Sequence, residues 1–155
     1  MNILFVCTGN VSRSFLAGAL LRDQIERLGL DHISVASAGL AAYPGSPADP
    51  KMVDYLQQMV IPVGDHRARQ IQKEDVDWAD LIIVMEKEQA GNILELWPEA
   101  NAKVELLGKY MTDPHIPDDV IDPFGRSPYH YRLAQAQITM GIESLMKKLT
   151  RKTAR

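Results

Sequence analysis

The chain has 155 residues, 46% hydrophobic and 24% charged, with a formal net charge of −3. That length and balance fit one folded domain over residues 1–155 with a real core, and they argue against a disordered chain. They give no electrostatic case for nucleic acid or an anionic membrane as partner, and the basic residues at the end (Lys147, Lys148, Arg151, Lys152, Arg155) read as a solvated helix end.

In chain order, the opening MNILFVC lacks the basic segment and long apolar core of a signal peptide. No apolar run nears the roughly 20 residues that span a bilayer, so a reducing cytoplasm is the expected setting. ILFVC at 3–7 is a continuous apolar run, the pattern of a strand covered on both faces. It ends on Cys7, the only cysteine, which rules out an internal disulfide and a cysteine-based zinc site. After Ser14, Leu21, Ile25 and Leu28 fall at i, i+4, i+7, and Gly29 is the expected helix stop. A second strand is predicted at 33–38 (ISVASA), and Val53, Leu56 and Val60 mark a second helix before Pro62. LIIVM at 81–85 reads as a third strand, 87–97 as a helix ending at Trp97–Pro98, and KVELL at 103–107 as a fourth strand. The stretch 108–128 is irregular and rich in Pro, Asp and Gly. Tyr131, Ala134, Ile138, Ile142, Leu145 and Leu149 then lay one face along a last helix.

Strands alternating with helices predict an α/β sandwich around a mostly parallel sheet. Functional groups in such folds gather on loops at the carboxyl edge of the sheet, which directs attention to 7–13 and 108–128.

Between strand and helix, CTGNVSRS at 7–14 has the makings of an anion site. Successive backbone N–H groups can curl around an oxyanion, helped by the positive end of the helix dipole. Gly9 and Asn10 tolerate the left-handed conformations that such a curl needs. Arg13 can close the ring with a planar fork matched to phosphate oxygens. Cys7 then sits in a positive field that favours the nucleophilic thiolate, with the Ser14 hydroxyl in reach of the sulfur. By default a strand-end cysteine is only a core residue. The strand before it, the helix after it and the residues between raise it above that reading. There is no G-K-[ST] for a nucleotide loop and no G-x-G-x-x-G for a dinucleotide.

Cysteine attack on a phosphate ester needs a proton for the departing oxygen, because a phenolate leaves slowly unaided. Asp122-Pro123-Phe124 offers a carboxyl beside a fixed backbone and an aromatic face. Asp113, Asp118 and Asp119 are the alternatives, and Asp113-Pro114 reads as a turn.

VCTGNVSRS at 6–14, SAG at 37–39, GSPADP at 45–50, HRARQI at 66–71, DLIIVME at 80–86 and IDPFG at 121–125 resemble the low-molecular-weight protein-tyrosine phosphatase family in order and spacing, across nearly the whole chain. The resemblance implies a three-layer sandwich with a four-stranded parallel sheet, no metal or other cofactor, and two steps through a phosphocysteine. Cys7 is then the nucleophile, Arg13 the phosphate clamp, and Asp122 the acid that later activates water. The N–H groups of Thr8, Gly9, Asn10, Val11, Ser12 and Arg13 form the cradle. Asn10 braces the loop through Ser14, Ser37 and His66, and Tyr43 and Phe124 wall the entrance. The implied partner is a phosphotyrosine-containing protein, with a bacterial tyrosine autokinase as a candidate.

Three departures stand out. Ser12 occupies a position where many members have a second cysteine, so oxidised Cys7 has no internal resolving thiol. Phe15 replaces a usual proline, and Gly125 stands where some members have a second aromatic. Arsenate-reducing relatives need further cysteines that this chain lacks. Phosphoarginine hydrolases of the fold have threonine at the position of Val11, which places the chain nearer the tyrosine-specific branch, although Thr8 occurs in both. A phosphate-recognition module without turnover would have no use for Cys7 and Asp122 together.

Overall fold

The computed structural model describes residues 1–111 and 118–154. Four strands form one parallel sheet: β1 (Asn2–Cys7), β2 (Ser34–Gly39), β3 (Leu81–Val84) and β4 (Val104–Leu106), in the order β2-β1-β3-β4. The helices are α1 (Arg13–Leu28), α2 (Pro50–Gln58), α3 (Lys73–Trp78), α4 (Lys87–Leu96) and α5 (Pro128–Thr153).

The two central strands are apolar from Ile3 to Cys7 and from Leu81 to Val84 because both of their faces are covered, whereas the edge strands carry Ser34, Ser37 and Glu105. Ile3, Phe5, Cys7, Leu81 and Ile83 pack with buried residues of α1, α2 and α5. Leu4, Val6, Ile82 and Val84 pack on the other side with Val76 of α3 and Ile93 of α4. Side chains alternate along a strand, so each strand feeds both cores and a three-layer sandwich results.

From β1 the chain crosses to β2 on one side and later returns to β3 on the other. The carboxyl ends of β1 and β3 therefore flank the point where strand order reverses, which opens a crevice there. Cys7 lies at that edge, paired in register with Gly39 of β2.

The expected α1 is present, and Gly29 ends it in the left-handed conformation at φ 64°. The helical face expected through Val60 needs correction. Helix α2 stops at Gln58, and Val60 is 80% exposed at φ 57°, while the core position goes to Ile61. Pro62 disfavours helical backbone at residue 61, so the turn falls one residue earlier, on Val60. Helix α3 has no counterpart in the sequence reading, because a six-residue helix with one buried side chain, Val76, carries no period. Along α5, all six of the expected apolar positions are buried.

Candidate active site

The loop joining β1 to α1 is held in a conformation that depends on Asn10. Its φ of 56° is left-handed, which asparagine tolerates better than most residues. Asn10 is fully buried, and its side chain is fully used. Nδ2 donates to Ser14 Oγ (2.9 Å) and Ser37 Oγ (3.0 Å), and Oδ1 accepts from the Arg69 N–H (3.1 Å). Cys7 Sγ lies 3.0 Å from Ser14 Oγ and accepts from the Asn10 N–H at 3.3 Å. An amide nitrogen can only donate, so Ser14 Oγ accepts from Asn10 and is free to direct its own hydrogen to the sulfur.

The loop carbonyls are held from outside. Cys7 O accepts from Leu40 N (3.0 Å), Thr8 O from Ala41 N (2.9 Å) and Val11 O from Asp49 N (2.8 Å). Asn10 O accepts from His66 Nε2 at 2.6 Å, which requires the proton on that nitrogen, and Ser12 O accepts from Leu16 N (2.9 Å). In a trans peptide the C=O of one residue and the N–H of the next point in opposite directions. Each held carbonyl therefore turns the following N–H, those of Thr8, Gly9, Val11, Ser12 and Arg13, away from its outer donor. The Asn10 N–H is instead committed to the sulfur. Gly39 lets the second strand approach: a Cβ there would sit 2.7 Å from the Thr8 carbonyl oxygen, which gives the SAG segment its reason.

Burial pushes His66 below its ordinary value of 6.5; the bond to Asn10 opposes this and the charge of Arg22 adds to it. The neutral ring with Nε2 protonated is thereby favoured. Phe15 is buried and its ring lies 4.8 Å from that of His66, so the residue that departs from the usual proline packs the imidazole that holds the loop.

Arg13 is 2% exposed, with Nη1 donating to Glu86 Oε2 (2.9 Å) and to the Val120 carbonyl (3.0 Å). Its Nη2 lies 3.6 Å from Asp122 Oδ2. Glu86 lies two residues past the end of β3, and Gln89 Nε2 joins it to the phosphate loop by donating to Glu86 Oε2 (3.1 Å) and Thr8 Oγ1 (3.2 Å). The aspartates are sorted by their neighbours. Asp119 accepts from the Lys87 N–H (2.9 Å) and Asp118 pairs with Lys87 Nζ (3.1 Å), both at the start of α4. Asp122 is the one of these three that faces Arg13; Asp113 lies outside the described residues.

A family model for low molecular weight phosphotyrosine protein phosphatases matches residues 2–155. The chain belongs to that family. A protein-arginine-phosphatase of Geobacillus stearothermophilus is 37% identical over 147 residues, 95% of each chain. A probable low molecular weight protein-tyrosine-phosphatase, EpsP, of Ralstonia solanacearum is 35% identical over 147 residues, 95% of this chain and 94% of that one. The structure of the YwlE arginine phosphatase from Geobacillus stearothermophilus matches with a TM-score of 0.86 at 35% identity, covering 99% of this chain and 95% of that one.

Two parts of this phosphatase were named in the sequence but have few anchors in the fold. Tyr43 is 83% exposed and Phe124 is 61% exposed, so both rings lie at the surface. Other residues were given no role from the sequence, although Asp49 lies in GSPADP and Glu86 in DLIIVME. Asp49 is buried, caps α2 through the Lys51 N–H (3.0 Å), and also accepts from Ser12 Oγ (3.1 Å) and Tyr131 OH (2.6 Å). Its Asp-Pro pair is a recognisable helix start, but the second duty toward Ser12 depends on tertiary placement. Glu86 and Gln89 likewise read as the first turn of a helix. Among the described residues no cluster of His, Cys, Asp or Glu could hold a metal, and no helix is long and apolar enough to cross a membrane.

Proposed function

We propose that this phosphatase hydrolyses phosphotyrosine in proteins with Cys7 as nucleophile, Arg13 as clamp and Asp122 as acid and then base. The reading rests on one observation: Cys7 Sγ receives the Asn10 N–H and lies against the Ser14 hydroxyl, at the end of the strand that opens the loop. Both contacts fix the sulfur beside the loop amides, where an anion held by them meets it. The N–H groups of Thr8, Gly9, Val11, Ser12 and Arg13, with the Arg13 guanidinium, supply fixed positive poles for the equatorial phosphoryl oxygens. The sulfur forms a bond to phosphorus as the bond to the phenol oxygen breaks. That oxygen takes the electron pair and the proton of Asp122. In the second step the Asp122 carboxylate takes a proton from water, whose oxygen attacks phosphorus while the P–S bond breaks and the thiolate returns. Glu86 acts through Arg13: its carboxylate and the Val120 carbonyl fix one edge of the guanidinium, leaving the other toward the substrate. Tyr43 and Phe124 accept the flat ring of the substrate. A nucleophile of this kind works in a reducing compartment, which supports the cytoplasm as its setting, with a tyrosine autokinase as a candidate partner.

The test is a series of aryl phosphates of graded leaving-group pKa. Cys7→Ser should abolish turnover and trap substrate. Asp122→Asn should lower kcat/KM by about 10²–10⁴-fold for basic phenols and by less for acidic ones. Asp118→Asn and Asp119→Asn should keep the wild-type slope, and a steep slope in either would mean that Asp122 is the wrong acid.

A phosphoarginine substrate is the second reading, favoured by the similarity to arginine phosphatases. Val11 counts against it, since its side chain has no hydroxyl to offer a guanidinium nitrogen. Peptides bearing phosphotyrosine or phosphoarginine, compared by kcat/KM, decide between the two.

A further inference from the structure

Helix α1 starts at the phosphate loop with a serine in the capping position, and that serine does not cap it. Ser12 makes no side-chain hydrogen bond to the first turn. Its hydroxyl turns the other way and donates to Asp49 Oδ2 at 3.1 Å. A capping serine ordinarily has extended backbone and places its oxygen on an N–H of the first turn. Ser12 instead has φ −119° and ψ −83°. The angle ψ is the torsion that relates the Ser12 nitrogen to the Arg13 nitrogen. At −83° the two nitrogens are gauche, so their N–H groups can converge on one anion. In extended backbone they are nearly anti, and the N–H groups point to opposite sides. Capping α1 and cradling phosphate are therefore competing conformations of Ser12.

Asp49 is placed to decide between them. Besides taking the Ser12 hydroxyl, it holds the Val11 carbonyl with its own N–H at 2.8 Å, and so grips both sides of the Val11–Ser12 peptide. Its carboxylate is buried and has a fixed place, because Tyr131 OH donates to Oδ2 (2.6 Å) and the Lys51 N–H to Oδ1 (3.0 Å). Capping α2 does not require an acid, since serine or threonine would do it without charge. A carboxylate beside an anion site opposes the anion. The α2 cap alone does not account for Asp49.

We propose that Asp49 is a positioning residue for the phosphate cradle: by holding the Ser12 hydroxyl it keeps Ser12 from capping α1, and so keeps the N–H groups of Ser12 and Arg13 on one anion. The proposal rests on the loop being the phosphate site.

The experiment measures the Ki of inorganic phosphate against an aryl phosphate, and the urea midpoint, for wild type, Asp49→Ser, and Asp49→Ser combined with Ser12→Ala. Serine at 49 still caps α2 but is one bond shorter than aspartate, so it releases Ser12. The freed Ser12 should then cap α1, and Ki should rise about 5-fold, the factor that a helix cap is worth at 25 °C. Alanine at 12 has no hydroxyl to cap with. Adding Ser12→Ala should therefore lower Ki at least about 2-fold from its Asp49→Ser value, while the urea midpoint falls because a cap is lost. A residue that only stabilised the loop would move binding and stability in the same direction. Asp49→Thr repeats the comparison with a capping residue that fills more of the space, should the serine variant not fold. A wild-type Ki in the Asp49 variants overturns the positioning role, and so does a Ki that Ser12→Ala fails to lower. Phosphate that does not compete with substrate in wild type removes the cradle itself, and the proposal with it.

Discussion

Asn10→Ala should be the most informative single change for the scaffold of the site. It removes three side-chain hydrogen bonds, at 2.9, 3.0 and 3.1 Å, from a fully buried position. Each is worth about 1 kcal/mol net. Alanine must also hold a φ of 56°, which costs about 1–2 kcal/mol for a residue with a Cβ and no local hydrogen bond. The total is about 4–5 kcal/mol, a large share of the ~5–15 kcal/mol that holds a domain together. For a chain of this size that is a fall in Tm of about 10–15 °C. Asn10→Gly loses the same bonds without the strain, and its looser unfolded state offsets part of that gain, so it should be about 1 kcal/mol more stable than the alanine variant. Urea unfolding followed by the fluorescence of Trp78 and Trp97 gives both values. A loss under about 1 kcal/mol for Asn10→Ala, or alanine at least as stable as glycine, would refute the reasoning.

Gly108→Ala should destabilise by at least about 3 kcal/mol and lower kcat/KM, because a Cβ would stand 1.8 Å from the Asp118 carbonyl oxygen, just upstream of the acid; wild-type unfolding in urea would contradict it. His66 is held below its ordinary 6.5, so between its lowered value and 6.5 the unfolded chain binds more protons. Its contribution to stability is therefore full above pH 6.5 and is lost as pH falls through the folded-state value. Urea midpoints from pH 7.5 to 5 should fall more steeply in wild type than in His66→Gln, and parallel curves would remove the assignment. Phosphate should protect the enzyme against inactivation by iodoacetate, whereas alkylation at the same rate with and without phosphate would place Cys7 outside the anion site. Prolonged peroxide should leave little activity that dithiothreitol can restore, since Cys7 is the only thiol in the chain; full recovery from a monomer would contradict this.

The parts legible in the sequence share one property: their signal is local. The two central strands could be read because burial on both faces makes each a continuous apolar run, the edge strands from shorter apolar stretches, and α5 because its buried face repeats at helical spacing. Cys7, Arg13 and Ser14 stand at the two ends of one short loop whose flanking strand and helix are themselves visible. Asp49, Glu86, Gln89 and Tyr131 were not legible as site residues. Each lies at a helix start or first turn, where Asp, Glu, Gln and Tyr are ordinary, and each gains its second role only when the fold carries it to the phosphate loop. Val60 was misplaced for a related reason: the spacing with Val53 and Leu56 is helical, but Pro62 decides where the helix must end.

Apart from Leu16 in α1, the donors that hold the loop carbonyls come from residues 40, 41, 49 and 66, spread over separate segments of the chain. Anion affinity is therefore a property of the assembled domain and of no fragment of it. A phosphate ion that binds only the closed cradle draws on the whole folding equilibrium, and its stabilisation grows as RT ln(1 + [L]/Kd). The amide hydrogens of 8–13 should then exchange with solvent at rates set by openings of the surrounding segments, and added phosphate should slow exchange at residues 40, 41, 49 and 69 together with the loop. The binding site and its distant supports would report one free energy.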